Sequence, residues 1–444
     1  MKNRPIIVLA ISLLAAAALL SSCKSVDHDM SVKQSSETEA CLQCHATTMP
    51  GLVGQWQDSE HYKQAVGCYE CHQADADDTD AVSHNGQTIA VIVSPLDCAG
   101  CHSREQEEFD GSHHAEGGEI LDSLDNVLAE IIEGDLSFNG ESPVSVSGCA
   151  GCHGSRVTVL DNGTLDPATF PNSGIGRLNP DGSKGACSAC HNRHGFSKAQ
   201  ARRPENCGRC HLGPDHPQME IYEESQHGIL FDANEENLNL DSDDWVVGID
   251  YSAAPTCATC HMSATSKQPV THNIATRNSW NLRAQLSTHT ADWETKRDNM
   301  QDVCLACHAP NSVNNFYAQL DAGIELYNNK FGSPAMEIHG AIRAAGIISN
   351  DTNFDDELEW YYWELWHHEG RRARSGIAMM GPDYVQWHGF YDIAENFYFD
   401  LIPEAIELCE AEIAKNSALA DEARTILDRI DVILAADEHD WISY

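Results

Sequence analysis

Apolar side chains recur at helical spacing in the last third of the chain. Ser417 can cap a predicted helix whose apolar face comprises positions 419, 423, 426, 430, 433 and 434. Pro403 suits the first turn of a second helix, which is predicted to begin near Asp400. The aromatic-rich run 358–366 predicts a third. We expect these long amphipathic helices to pack on the body of the chain or to form a contact between subunits.

Three other segments complete this pattern. Residues 119–133 are predicted to form an amphipathic helix, because apolar side chains occupy positions 120, 121, 124, 127, 128, 131 and 132. Residues 154–185 are rich in glycine, proline, asparagine and aspartate, and are predicted to be a loop. Cys409 has Ala405 and Ile413 as helical neighbours, so it is predicted to be a buried packing residue rather than a functional thiol.

Residues 1–22 have the pattern of a signal peptide. Lys2 and Arg4 precede an apolar run, residues 5–20, and small residues follow before Cys23. A cysteine after Leu-Ser-Ser fits a lipoprotein cleavage site, so we expect Cys23 to carry lipid; the alternative is an ordinary signal peptide. No later stretch is long and apolar enough to cross a bilayer. Residues 23–40 are then predicted to be a flexible tether, with the protein on the periplasmic or cell-surface side of a membrane.

One five-residue unit, Cys-x-x-Cys-His, occurs eight times. Its two cysteines can form thioethers with the two vinyl groups of a haem, and its histidine then becomes an axial ligand of the iron. Zinc sites need no histidine after the second cysteine, and thioredoxin-like pairs do not recur eightfold, so eight covalently bound c-type haems are predicted. The thioether cysteines are Cys41, Cys44, Cys68, Cys71, Cys98, Cys101, Cys149, Cys152, Cys187, Cys190, Cys207, Cys210, Cys257, Cys260, Cys304 and Cys307. The axial histidines of these units, which we call proximal, are His45, His72, His102, His153, His191, His211, His261 and His308.

Eight large apolar cofactors change the expected architecture, because the haems themselves form much of the hydrophobic core and fewer apolar side chains are needed. Residues 41–345 are predicted to form a loop-rich, haem-packed domain. Residues 346–444 are predicted to form a helical region that packs on this domain and contributes to an oligomer contact. The fold class is therefore expected to be a mainly α multihaem cytochrome c with long C-terminal helices and little sheet.

The charge of the chain excludes one class of partner. It has 27 basic and 68 acidic residues, for a formal net charge of −41. A nucleic-acid-binding function is excluded, because no basic face is available to neutralise phosphates. An acidic surface is commonly only solvated, but it can also steer a basic redox partner.

A second motif, aromatic-x-x-Ser-x-His, occurs three times and ends at His61, His114 and His227. A truncated copy ends at His289. A c-type haem with one histidine ligand usually takes a second on its far face. The aromatic ring can pack on the macrocycle while the serine fixes the turn, so these four histidines are predicted to be distal ligands. The alternative, surface or capping histidines, suits a single copy better than three.

The other histidines supply further candidates. His194, His272 and one of His367 and His368, for which we take His368, are predicted to be distal ligands of neighbouring haems. His28 and His439 are predicted to be solvated. The number of histidines does not show whether one haem keeps the open position that an enzyme requires.

Asp215 and His216 follow the sixth haem unit directly and form the most enzyme-like stretch. Histidine titrates near neutrality, and an aspartate can orient it or raise its pKa, so the two can move protons beside an iron. The alternative is that His216 is one more distal ligand and Asp215 a turn residue. The local sequence does not decide between them.

Several long motifs resemble the octahaem hydroxylamine oxidoreductase family and cover nearly all of the predicted mature chain. They include Gly-Pro-Asp-His-Pro-Gln at 213–218 and Trp-His-His-Glu-Gly-Arg-Arg-Ala-Arg at 366–374, with others at 179–194, 225–228, 271–273, 379–384 and 387–389. The resemblance implies a mainly helical homotrimer with seven bis-histidine haems that conduct electrons. It implies that the haem of Cys149, Cys152 and His153 is five-coordinate and catalytic, with Asp215 and His216 over its open face.

The resemblance also bears on the reaction. In oxidative members a tyrosine of one subunit is cross-linked to the catalytic haem of the next, and Tyr384 is our candidate, with Tyr391 nearby. Members without the cross-link act reductively on nitrite or hydroxylamine. The expected function is an exported oxidoreductase that interconverts hydroxylamine and more oxidised nitrogen compounds. Its redox partner would be a c-type cytochrome or a membrane quinol-linked cytochrome. The alternatives are a non-catalytic electron conduit and an octahaem reductase of another oxyanion, such as tetrathionate or sulfite.

Overall fold

The computed structural model describes residues 32–122, 131–132 and 144–441. It is mainly helical, as predicted, and the only sheets in these ranges are two short two-stranded ones. By their internal contacts the described residues divide into two compact units. The first comprises residues 32–76, 81–91 and 193–196, and the second comprises the rest. No helix in the described part combines the length and hydrophobicity that a membrane span requires.

Four helices and a hairpin form the first unit. They are α1 Ser36–Thr48, α2 Pro50–Gln57, α3 Glu60–Lys63, α4 Cys68–His72, and strands β1 Ala81–His84 and β2 Gln87–Ala90. The strands pair antiparallel, with His84 opposite Gln87. Asn85 and Gly86 form the turn with positive φ angles of 49° and 84°, as a two-residue hairpin loop of this kind requires.

The predicted tether, residues 23–40, overlaps helix α1 at residues 36–40. Ser35 caps α1 by accepting a hydrogen bond from the Thr38 amide, and Thr38 itself is buried. The helix therefore begins at Ser36, five residues before the first haem unit. Residues 23–31, including Cys23 and His28, lie outside the described residues, as does the signal peptide.

Short helices separated by loops make up the first part of the second unit. They are α5 Pro95–Asp110, α6 Ala150–Cys152, α7 Lys198–Arg202, α8 Pro204–Gly208, α9 Gln218–Glu224, α10 Gln226–Asn234, α11 Cys257–His261 and α12 Trp293–Leu305, with strands β3 Trp280–Asn281 and β4 Thr288–His289. Single 3₁₀ or π turns occupy Gly117–Asp122, Ser145–Cys149, Cys187–Ala189, Glu235–Asn237 and Ile274–Arg277.

Two predictions fall in this part. Residues 154–185 contain no helix and only isolated bridges, which confirms the predicted loop. Gly117–Asp122 is a 3₁₀ turn rather than the start of the α-helix predicted for 119–133. Most of that predicted helix lies outside the described residues.

Three long helical runs interrupted by π turns, and one plain helix, follow the last haem unit. The first joins α13 Pro310–Leu326, a π turn at Tyr327–Gly332 and α14 Ser333–Ala345. The second joins α15 Glu357–Trp363, a π turn at Glu364–Glu369 and α16 Gly370–Met379. The third comprises α17 Pro382–Val385, α18 Asp392–Asn396 and α19 Ile402–Ala414, with π turns at Gln386–Tyr391 and Phe397–Leu401. The last helix is α20 Ala420–Leu434, before a 3₁₀ turn at Asp437–His439.

The stripe predicted for α20 is confirmed, because Ala423, Ile426, Ile430 and Ile433 are buried. They belong to one large cluster with side chains of the three long runs, including Cys409, which is fully buried as predicted. The cluster also contains Tyr327 and Ile342 from the first run. The hydrophobic core of the C-terminal region therefore begins well before residue 346, where the boundary was predicted.

One prediction about the C-terminal region is confirmed and one is wrong. Pro403 lies in the first turn of α19, which begins at Ile402, near Asp400 as predicted, although α19 continues a helical run that begins at Pro382. His439 is buried rather than solvated. Its ring stacks on Phe397, and its Nδ1 lies 2.7 Å from the Tyr398 hydroxyl.

Phe397 tests how much this cluster contributes to stability. Its side chain is fully buried against Phe331 and His439. We expect Phe397→Ala to lower the free energy of unfolding by about 3–5 kcal/mol, because it leaves a cavity in a closed core. Phe399→Ala is the matched control: Phe399 is 64% exposed on the same helical run, and we expect a change within about 0.5 kcal/mol. Denaturant unfolding of the haem-loaded protein measures both, and equal losses would contradict this view of the core.

Candidate functional site

Several haem units sit in capped helical turns. Thr256 caps α11, the seventh unit, by accepting from the Thr259 amide. Ser94 caps α5, which carries the third unit, and Glu70 accepts from the Gly67 amide at the start of α4, the second unit. One helical turn brings the two cysteines of a unit, three residues apart, to one face, as two thioethers to one ring require.

Buried polar contacts orient some of these units further. His72 Nδ1 donates to the Ala90 carbonyl at 2.8 Å, which leaves its Nε2 free for a metal. Arg277 is buried and donates to the carbonyls of Cys260 and Ser263 at 3.0 and 2.6 Å. Arg277 was not predicted from the sequence, because its acceptors are backbone atoms that no side-chain pattern reveals.

Pairs of imidazole rings show whether the residues fit bis-histidine haems. Two imidazoles on opposite sides of one metal ion have ring centres roughly 6 Å apart, because each nitrogen lies about 2 Å from the metal and each ring centre about 1 Å behind its nitrogen. Four proximal histidines have an imidazole partner at this distance. The pairs are His45 with His84 at 6.0 Å, His191 with His272 at 6.4 Å, His211 with His114 at 6.1 Å and His308 with His227 at 6.0 Å. The arrangement fits haems held between two histidines.

Three predicted distal ligands, His114, His227 and His272, are in these pairs. His194 has His72 as a neighbour: burial lowers the pKa of His194, and the charge of His72 lowers it further. His61 instead packs edge-on against Phe196 at 5.0 Å, and His289 is stacked between Trp280 and Trp293 at 3.7 and 3.9 Å. These ring contacts do not test iron ligation by His61 or His289, which stays a prediction for both.

His84 is a ligand candidate that was not predicted from the sequence. It ends strand β1, next to the Asn85–Gly86 turn. An Asn-Gly pair between short apolar runs is a hairpin signal that could have been found. The pairing of His84 with His45 could not have been predicted from the sequence, because only the tertiary fold brings the hairpin to α1.

The serine of the aromatic-x-x-Ser-x-His motif fixes a turn, as predicted. Ser59, Ser112 and Ser225 are buried, and each hydroxyl donates to the carbonyl of the aromatic residue three positions earlier, at 2.6, 2.6 and 2.7 Å. The truncated copy differs. Ser287 accepts from Arg374 Nη1 at 2.7 Å, and its amide donates to Asn328. His289 thus lacks the local geometry of the other three.

Asp215, His216, Arg371 and His367 form one cluster in the second unit. Asp215 Oδ1 lies 3.5 Å from His216 Nε2, and Asp215 Oδ2 lies 3.5 Å from Arg371 Nη1. Arg371 Nη1 is also 3.0 Å from His367 Nε2. The structure therefore links the loop after the sixth haem unit to the second long helical run. Arg371 is a member that sequence reasoning did not assign.

His216 has two possible roles, and its contacts favour one. Its ring centre lies 6.1 Å from that of His211, a distance that also suits a distal ligand. However, Nε2 faces the Asp215 carboxylate, while the buried Nδ1 has no hydrogen-bond partner among the described residues. A carboxylate contact of this kind suits a group that exchanges protons. Since His114 also lies at ligand distance from His211, the sixth unit does not need His216.

The π turn Glu364–Glu369 carries two adjacent histidines of different surroundings. Arg371 can only donate, so His367 Nε2 must accept and is not free for iron. His368 has no such contact with an arginine. Burial, and to a smaller extent the charge of His367, lower the pKa of His368 to about 4, and this lowered pKa favours the neutral, metal-binding form. Burial raises the pKa of Glu369 to about 8. Of the two histidines, His368 is thus the better ligand candidate, as predicted.

Tyr384 lies on the third long run, in α17. Its ring centre is 5.7 Å from that of His388, and its amide donates to Glu224 at 3.4 Å. Burial raises the pKa of Tyr384, and the charges of Glu220 and Glu224 raise it further. Tyr391 is 48% exposed beside the exposed Trp387. Among the described contacts of Asp215 and His216, neither tyrosine takes part.

Two family models match separate parts of the chain. One, described as "Seven times multi-haem cytochrome CxxCH", matches residues 181–352, and one described as "Cytochrome c554 and c-prime" matches residues 14–73 and 97–176. The chain is a multihaem c-type cytochrome. Its Cys-x-x-Cys-His units accordingly bind haem covalently.

Curated relatives of this multihaem cytochrome are considerably longer. It is 24% identical over 342 residues to a probable nitrite reductase-hydroxylamine oxidoreductase fusion protein of Kuenenia stuttgartiensis, covering 64% of this chain and 35% of the relative. It is 25% identical over 327 residues to the C-type polyheme cytochrome OmcC of Geobacter sulfurreducens, covering 69% of this chain and 31% of the relative. The cytochrome thus spans about a third of the length of each.

Solved structures share the fold of this cytochrome. One, titled a hypothetical multiheme protein, superposes with a TM-score of 0.75 at 25% identity, covering 86% of this chain and 97% of the other. A reducing HAO-like protein complex of Kuenenia stuttgartiensis superposes with a TM-score of 0.64 at 20% identity, covering 86% and 87%.

The pairing of His114 with His211 can be tested by spin state. We expect His114→Ala to convert one low-spin haem to high spin, because the iron loses its second nitrogen ligand. Electron paramagnetic resonance of the oxidised protein measures the change. His113→Ala is a matched control, since the adjacent His113 is exposed and lies 3.8 Å from Glu116. A His114→Ala protein with no more high-spin haem than the parent would exclude His114 as a ligand.

Proposed function

We propose that this cytochrome is an exported octahaem oxidoreductase of small nitrogen compounds, acting on hydroxylamine or nitrite. The observation that carries the proposal is the Asp215–His216 pair, 3.5 Å apart, beside a proximal histidine and contacted by a buried arginine. A pure conductor of electrons has no need for a proton-exchanging pair at a haem. The relative from Kuenenia stuttgartiensis, whose name includes both nitrite reductase and hydroxylamine oxidoreductase, agrees with this assignment.

Eight haems follow from the eight units, with sixteen thioether cysteines and eight proximal histidines. His84, His114, His194, His227, His272 and His368 are our proposed distal ligands for six haems, and His61 or His289 is proposed for the seventh. We retain the haem of Cys149, Cys152 and His153 as the one with an open position, as the family resemblance implies. The pKa of His211 is lowered chiefly by burial, then by the charge of His216, and also by the charge of His153, so His153 lies within electrostatic range of His211.

The protein's own contribution at this site is proton transfer. A haem iron with an open position supplies the place where a small nitrogen compound binds and exchanges electrons. His216 moves the proton, through the ring nitrogen that faces the substrate, and Asp215 holds the ring by its other nitrogen. Proton transfer matched to electron transfer keeps charged nitrogen species from accumulating. Histidine pairs such as His211 with His114 would close both faces of a haem to substrate and leave it to conduct electrons.

The expected localisation and assembly complete the proposal. Covalent haem attachment in bacteria agrees with export, and we retain Cys23 as the lipid-carrying residue. A homotrimer is supported by exposed aromatic side chains on the third helical run and near the C-terminus, which are Trp387, Tyr391 and Trp441. With a net charge of −41, a basic c-type cytochrome or a membrane quinol-linked cytochrome is the expected redox partner.

A second candidate function is electron conduction without catalysis. It is favoured by the similarity to the polyheme cytochrome OmcC, which covers 69% of this chain. The two functions differ in one property of the reduced protein. An enzyme has a ferrous haem that binds carbon monoxide or hydroxylamine, whereas a conductor with eight six-coordinate haems has none. Absorption spectra during titration with carbon monoxide decide between them, and turnover with hydroxylamine, nitrite and sulfite then identifies the substrate. Protein mass spectrometry gives the number of haems.

His216→Ala tests the proton-transfer role. We expect the turnover number to fall by about 100-fold or more, the usual contribution of a positioned acid or base, while all haems remain bound. Steady-state kinetics and the protein mass measure these two quantities. His388→Ala is the control: this histidine also contacts aspartate, 3.5 Å from Asp383, but its side chain is 56% exposed on the third run. Full activity in His216→Ala would remove His216 from the mechanism.

A further inference from the structure

Arg371 connects three elements from a buried position. Its Nε donates to the Arg283 carbonyl at 2.8 Å, and its guanidinium lies over the Trp366 ring, 5.0 Å from the ring centre. Nη1 donates to His367 Nε2 at 3.0 Å and lies 3.5 Å from Asp215 Oδ2. Three of these contacts hold the guanidinium in place, and the fourth reaches the Asp215 carboxylate.

Asp215 needs such a partner because of where it lies. It belongs to the loop between the sixth haem unit and α9, two residues after Gly213, whose φ angle is +99°. A carboxylate on a loop can rotate toward solvent. The net charge of −41 repels a buried carboxylate, so Asp215 needs a cation to hold it in place. Here its two oxygens are divided: Oδ1 contacts His216 and Oδ2 contacts Arg371.

The cation is matched to this task. A buried arginine stays charged, whereas a lysine or histidine can lose its proton on burial. The planar guanidinium contacts the Arg283 carbonyl, His367 and Asp215 from a fixed orientation, which a flexible lysine cannot reproduce. The helical run that carries Arg371 belongs to the large C-terminal cluster, with Leu365, Trp366 and Ala373 buried. Arg371 thus connects the Asp215 loop to a helix that is fixed by the C-terminal hydrophobic cluster.

We propose that Arg371 is a positioning residue for the Asp215–His216 pair. It holds the Asp215 carboxylate so that Oδ1 faces His216, and it acts on the reaction through Asp215 rather than by touching the substrate. This proposal rests on the proposed function for its kinetic consequences, but its geometric claim stands independently. Neither the sequence motifs nor the similar proteins assign a role to this side chain.

A double-mutant cycle tests whether Arg371 acts through Asp215. We expect Arg371→Met to lower kcat by about 10- to 100-fold, the usual cost of a misplaced catalytic group, with KM changed by less than about threefold. In the Asp215→Asn background the same substitution should have almost no further effect, because the carboxylate that Arg371 holds is gone. Arg371→Lys should recover part of kcat. Losses that multiply in the double mutant would overturn the proposal.

Arg372→Met is the matched control. Arg372 is the next residue, and it pairs with Asp392 at 3.1 Å instead of Asp215. We expect it to leave kcat within about twofold of the parent, since its partner is on the third helical run. Haem number and thermal stability should be the same in the Arg371→Met and Arg372→Met proteins. Equal loss of kcat in both would indicate a general disturbance of the helix and would also overturn the proposal.

Crystal structures of the parent and of Arg371→Met separate this proposal from the proposed function. We expect the Asp215 carboxylate to leave His216 in the variant, with the distance between Oδ1 and Nε2 increasing well beyond the 3.5 Å of the parent. If the carboxylate stays in place, Arg371 does not position it. A parent protein that turns over none of the nitrogen compounds would refute the proposed function, while the position of Asp215 would still decide the role of Arg371.

Discussion

Two imidazole nitrogens must face each other across each six-coordinate iron. The distance between the two imidazole rings of a pair therefore constrains how the haem-carrying part of the chain folds. Four histidine pairs have ring centres 6.0–6.4 Å apart, and their members are as distant in sequence as His114 and His211. The apolar clusters in the first 310 residues are small, such as the one around Val53, Trp56 and Tyr62. Capped turns, buried serines and the buried Arg277 replace an extended hydrophobic core in setting these distances. The cofactors supply the apolar surface that the side chains do not.

The C-terminal helices obey a different constraint. Their side chains form one large cluster that includes Phe331, Phe397 and Cys409 and needs no cofactor to be closed. π turns interrupt each of the three long runs, and the turn at Glu364–Glu369 changes the phase of the helix at the two adjacent histidines. One of them, His367, contacts Arg371, and Arg371 contacts Asp215. A rigid helical region thereby supports a site on a loop, which is how protein scaffolds commonly hold catalytic groups.

Local patterns predicted the local features well. The stripe along α20, the burial of Cys409, the loop at 154–185 and the serine turns before His61, His114 and His227 all follow from residues close in sequence. The error about His439 concerns a longer distance, because Phe397 and Tyr398, more than forty residues earlier, form its surroundings. The truncated motif before His289 also differs from the three complete copies through remote contacts: Ser287 accepts from Arg374, and His289 lies between Trp280 and Trp293. Iron ligation by His289 stays a prediction.

The sequence alone determined the chemistry of attachment, because two cysteines and a histidine within five residues need only one helical turn to meet a haem. It also placed Asp215 and His216 next to each other, since they are neighbours in the chain. Only the tertiary structure decided that His84 faces His45, that His216 Nε2 faces the Asp215 carboxylate, and that Arg371 reaches the same carboxylate from more than 150 residues away. Ligand pairing and the support of the site depend on distances of a few ångströms between remote segments. Those distances are set by how the helices and loops pack, which no local spacing encodes.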